Sequence, residues 1–148
     1  MIIHSGFITY NTTEPTTTLA QREAQIGPES KRGSDYCGGG GSMDKSHISG
    51  LQNWLQNTNA WTYIYLPHQS VVRFSYGSAM MCLKNQYWTE NTHVARWEAG
   101  WATGYVSEHS VNAASNFYSA GGQATAHGDS GLALDAVLLS LSYACKIY

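Results

Sequence analysis

From Val137 to Tyr148 the apolar side chains fall on alternate positions. Val137, Leu139, Leu141, Tyr143, Cys145 and Ile147 occupy the odd places, whereas from 140 onward Ser140, Ser142, Ala144, Lys146 and Tyr148 occupy the even ones. A period of two is that of a strand with one buried face. A helix would bring Leu139 and Tyr143 together but would swing Leu141 and Cys145 about 200° and 240° away from Leu139. The spacing therefore predicts a strand over residues 137–148.

Upstream segments read in the same way. Residues 2–10 suggest a first strand around Ile3, Phe7 and Ile8. Residues 61–66, 70–76 and 79–83 form three more, the last apolar on both faces as a strand between layers would be. His93 to Trp101 puts Trp97, Ala99 and Trp101 on one face and continues through residues 102–106, while residues 116–120 and 123–127 are weaker strands split by Gly121-Gly122. Between the first strand and this block lies a different text. Residues 11–18 are threonine-rich and extended, residues 19–26 hold one or two helical turns, and residues 29–50 carry Gly38-Gly39-Gly40-Gly41-Ser42, a linker-like run. With no good long helix, the expected fold is all-β: an antiparallel, jelly-roll-like β-sandwich over residues 51–148. Residues 1–50 supply the first strand and an extended polar arm or long glycine-rich loop.

Composition narrows the function. Charged residues are 12% of the chain, and serine, threonine, asparagine and glutamine together supply 43 of 148 residues. A net charge of −2 and a pI near 6.3 argue against a surface that binds nucleic acid by phosphate neutralisation alone, and no nucleic-acid partner is expected. No run of 18 apolar residues exists, so no membrane insertion is expected. The first ten residues lack a basic stretch followed by an apolar one, which suggests a chain made in a cytoplasm without a signal peptide. Three cysteines cannot all pair within the chain; Cys82 and Cys145 read as small core side chains and Cys37 as exposed, without a disulfide scaffold.

Motifs for catalysis are sparse. Gly128-Asp129-Ser130-Gly131 resembles the nucleophile motif of chymotrypsin-like serine proteases, which would imply Ser130 as nucleophile with a histidine and an aspartate from far upstream, where no Ala-Ala-His-Cys-like segment stands. Leu132 stands where that family has a further glycine, and a turn between strands explains the four residues equally well. Asp44 before Lys45-Ser46 would repel phosphate, which removes a P-loop. The six histidines stand singly, without the i, i+2 or i, i+4 spacing of a metal site. Neither metal nor cofactor is expected, and the chain reads as a non-enzyme.

Aromatic side chains are what remains for recognition: five tryptophans, ten tyrosines and three phenylalanines. Trp97 and Trp101 are expected in the core. Trp54, Trp88 and Tyr148, at segment ends, are the expected contacts with a partner or glycan, helped by the amides of Asn53 and Gln56. The favoured expectation is a viral or bacteriophage structural protein, as capsid, decoration or tail-fibre component. It would reside in the virion and assemble with other copies of itself, for instance as a trimer. A lectin-like module binding host-surface carbohydrate is the alternative, and a small hydrolase using Ser130 and His127 a second.

Overall fold

Antiparallel pairing organises the chain, and two helices close its core. The computed structural model describes residues 2–4, 35–110 and 117–147. The arm segments expected over residues 11–18 and 19–26, and Tyr148, lie outside them. The strands are β1 (Ile2–His4), β2 (Tyr36–Cys37), β3 (Met43–Asp44), β4 (Tyr63–Leu66), β5 (Ser70–Tyr76), β6 (Ala79–Asn85), β7 (Thr92–Ala95), β8 (Tyr118–Ser119), β9 (Gly122–His127) and β10 (Ala133–Ser140). Helix α1 spans Lys45–Asn57 and α2 spans Arg96–His109. Six strands form one sheet in the order β1-β5-β6-β10-β9-β2, every pair antiparallel. Two small pairs, β3–β8 and β4–β7, stand beside it.

The alternation of β5, β6 and β10 decides which side chains meet the helices. Val72, Phe74, Met81, Leu83, Leu134, Ala136 and Leu138 share a core with Ile48, Leu51 and Leu55 of α1 and Ala99, Ala102 and Val106 of α2. The antiparallel β expectation holds, but the layer facing the large sheet is helical where a sandwich would place a second sheet. The opposite face buries Val71, Met80, Cys82, Val137 and Leu139 beneath Cys145 and Ile147. A disulfide between Cys82 and Cys145 fastens that cover. The two cysteines are therefore bonded rather than separate core thiols, and the free cysteine is Cys37, which is exposed as expected.

Three further expectations need correction. Residues 96–106 are helical rather than extended, because Ala99, Ala102 and Val106 recur at helical spacing and bury together. Residues 45–57 are helical, so residues 45–50 are not part of the linker-like run expected over 29–50. Asp44 caps this helix, its carboxylate accepting the Ser46 N–H at 2.8 Å, and Ile48, Leu51 and Leu55 lie on one face. Helix α1 thus crosses position 50, and Met43 is fully buried, so this stretch belongs to the folded unit rather than to an arm. Finally, the last strand runs over Ala133–Ser140 and stops. Tyr143 N–H turns back to Ser140 O at 2.9 Å, and the alternating residues beyond it fold onto the outer face of the sheet.

Candidate functional site

Helix α2 starts without a side-chain cap, since Ala95 offers no acceptor. Its first N–H groups are satisfied instead by the loop that follows α1: Arg96 N–H donates to Thr62 O at 3.1 Å and Trp97 N–H to Ala60 O at 2.8 Å. Asn59, in the left-handed region at φ 51°, begins this loop's turn. Trp61 sits between the two accepting carbonyls and is thereby held over the first turn of α2. Its ring stacks on Trp97 with centroids 5.5 Å apart and planes 10° from parallel, yet it remains 64% exposed. A broad aromatic face is thus presented to solvent with its backbone anchored on both sides.

The seam between the helices fixes the other wall. Gly100 and Gly104 let α1 approach closely: a Cβ on Gly100 would lie 2.6 Å from Gln56 Cγ and 3.0 Å from Leu55 Cβ, and one on Gly104 would lie 2.3 Å from Gln52 Nε2. Gln56 therefore packs in this seam, accepting a hydrogen bond from Gln52 Nε2 at 3.3 Å. Trp54, partly buried, carries the Arg96 guanidinium 4.3 Å above its ring. Asn53 is exposed and holds Asn57, whose Nδ2 donates to Asn53 Oδ1 at 2.7 Å. The loop that carries Trp61 also exposes the side chains of Thr58, Asn59 and Thr62.

An aromatic track continues along α2. Trp101 lies 5.2 Å from Tyr105, and Tyr105 lies 4.0 Å from His109, whose Nδ1–H donates to Tyr105 O at 2.9 Å. From position 97 to 109 the helix advances about 18 Å. At the far end is a cavity of about 110 Å³ lined by Tyr36, Cys37, Tyr105, His109, Ser110 and Gln123. Trp97 and Trp101 do share a face, as expected, but it is the half-exposed face of a helix rather than a core-facing strand.

Of the residues expected at a contact site, Asn53, Trp54 and Gln56 all lie on α1: Trp54 meets Arg96, Gln56 packs in the seam against Gly100, and Asn53 is exposed beside Asn57. Trp88 stands exposed on the β6–β7 connection without a ring contact to the Trp61–Trp97 pair. Sequence reasoning missed Trp61 and Arg96. Trp61 and Trp97 meet only because the loop after α1 caps α2, and no local pattern records that meeting.

Gly128-Asp129-Ser130-Gly131 forms the turn between β9 and β10. Gly131 N–H donates to Gly128 O at 3.0 Å, and Asp129 N–H to His93 O at 2.7 Å. Ser130 Oγ lies 2.9 Å from Thr92 Oγ1. The imidazole beside Asp129 is that of His93, 3.7 Å from Oδ2, whereas His127 gives its backbone N–H to Glu98 Oε2 at 3.0 Å. This arrangement ties the β7 strand to the β9–β10 turn. Among the described residues no three of His, Cys, Asp and Glu cluster as metal ligands, and no helix is long and apolar enough to cross a membrane. Comparison with protein-family models, curated proteins and solved structures finds no match, so the reading below rests on geometry alone.

Proposed function

We propose that this chain is a carbohydrate-binding module that receives a sugar chain on the Trp61–Trp97 pair and along the aromatic track of α2. The observation that carries the reading is the stacked Trp61 ring, two-thirds exposed and held from both sides by backbone hydrogen bonds. Leaving such a ring in water forgoes about 25 cal/mol for each Å² of apolar surface that could be covered. A flat apolar face ringed by amides and hydroxyls suits a ligand that is apolar on the ring faces of its sugars and hydroxylated at their edges. The Cys82–Cys145 bridge supports work in an oxidising compartment or on an outer surface, in place of a cytoplasm.

Retention on immobilised polysaccharides, followed by calorimetry with the retained oligosaccharide, tests the proposal. Wild-type protein should bind, and Trp61→Ala should weaken binding by about 10- to 100-fold, as expected for a central aromatic anchor. Unchanged melting would accompany that loss, because so exposed a ring contributes little to the core. Retention that survives the substitution would overturn the reading.

Self-assembly into a particle is a second reading, favoured by a different observation. Phe117 and Tyr118 are exposed at 74% and 54%, and Tyr36 on the edge strand β2 is also exposed. Exposed aromatic side chains, one of them on the strand that ends the sheet among the described residues, suit contact between copies. Light scattering separates the two: a monomer at high concentration that binds glycan supports the module, and large assemblies without glycan retention support the particle.

A further inference from the structure

We propose that Arg96 makes this site selective for acidic sugars, its guanidinium taking the carboxylate of a uronic acid; the inference rests on the carbohydrate reading above. Arg96 is only 6% exposed, and among the described residues its buried Nε and Nη2 have no hydrogen-bond partner. Those two atoms form one edge of the guanidinium, the edge that grips the two oxygens of a carboxylate in parallel. A buried cation normally brings its counter-charge with it. Here the nearest acidic residue in sequence, Glu98, is engaged elsewhere, accepting the His127 N–H. Burial alone holds the Arg96 pKa below its ordinary value, with no carboxylate contributing. Among the described residues the Trp54 ring beneath it compensates in part.

The position adds to the argument. Arg96 occupies the first turn of α2, whose N-cap Ala95 brings no side-chain acceptor; the acidic residue of that turn, Glu98, accepts the His127 N–H. The same loop that presents Trp61 fixes the Arg96 backbone through Thr62 O. A sugar stacked on Trp61 therefore lies within one loop of an unpaired guanidinium edge. Because that edge is below the surface, the carboxylate reaches it only as Trp54 or the residue 58–62 loop shifts. Binding should then change tryptophan fluorescence.

The test uses the full chain and three probes of equal length: tri-galacturonic acid, its fully methyl-esterified form, and a sulfated neutral trisaccharide. Affinity is read by calorimetry and tryptophan fluorescence. Expected is at least tenfold tighter binding of the acid than of the ester, weakening as NaCl rises, with the ester insensitive to salt. Arg96→Gln should bring the acid down to the affinity of the ester, with the acid-to-ester ratio measured within the variant as the readout. A melting curve for this variant checks its fold, and the salt dependence of the wild type stands independently if the variant does not fold. Equal binding of acid and ester overturns the inference while leaving the carbohydrate reading intact. Preference for the sulfated probe over the acid overturns the assignment to a carboxylate. Failure of all three probes and of every immobilised polysaccharide overturns both.

Discussion

Asp44 shows how much a single side chain contributes to one element. Its carboxylate accepts the Ser46 hydroxyl at 2.6 Å and the Ser46 N–H at 2.8 Å. These bonds, the hydroxyl foremost, hold its pKa below the ordinary 3.8. A carboxyl depressed in this way stabilises the fold above its unfolded value and loses that contribution as pH falls through the folded one. Asp44→Ala should therefore melt earlier than wild type at neutral pH, with the gap closing on acidification below 3.8. A gap independent of pH would refute the electrostatic part of the cap. Cys37 permits an equally local test: native protein treated with iodoacetamide should take up one label, at Cys37, because the other two cysteines are bonded. The cap was legible in principle, as Asp44 precedes Ile48, Leu51 and Leu55, but the glycine run before it drew the reading toward a loop. The isolation of Arg96 was not legible, because the absence of a partner is a fact about space and leaves no mark on the chain.

Helix α2 explains why one element was read as a strand. Trp97 and Trp101 are four apart, and a spacing of four returns to the same face in both a strand and a helix. Only Ala102 and Val106, set beside Ala99, distinguish the two periods, and small residues signal burial weakly. By contrast β5 was bounded correctly at residues 70–76, since its apolar run ends at the Gly77-Ser78 turn. The helix seam can be probed by two matched substitutions. Gly100→Ala drives a methyl against Leu55 Cβ at 3.0 Å and Gln52 O at 3.2 Å, atoms that cannot swing aside. It should destabilise by about 1–3 kcal/mol. Gly104→Ala meets the mobile end of Gln52, so the gain in helix propensity, up to about 1 kcal/mol, should nearly offset the contact. Denaturant midpoints would compare the pair, and equal losses at both positions would contradict the geometry.

At the scale of the molecule, the C-terminal segment covers the outer face of the sheet because one covalent bond holds it there. Cys82 and Cys145 are 63 residues apart. Closing a loop of that length restricts the unfolded chain by about 4 kcal/mol. Cys82→Ser with Cys145→Ser should lower stability by about 2–5 kcal/mol and raise dye binding at Val71, Met80, Val137 and Leu139. Unchanged stability on denaturant titration would show that the cover does not depend on the bond. The predominance of antiparallel strands was legible from alternation, but alternation also runs on past Ser140, where the chain turns. Leu141 N–H still makes an in-register bond to Ser78 O at 3.0 Å, and what ends β10 is the turn just after it, closed by Tyr143 N–H on Ser140 O at 2.9 Å.

The large sheet is at heart two hairpins, β5–β6 and β9–β10, laid edge to edge along β6 and β10. Each hairpin is local and can zip quickly, but their junction must wait while β7, α2 and β8 are gathered in between. Refolding should be paced by that docking and occupy milliseconds to seconds, roughly the range of topologies rich in distant pairings. Leu138, fully buried opposite Met81 on the junction, is the place to time it: Leu138→Ala should slow the folding arm of a chevron more than it speeds the unfolding arm.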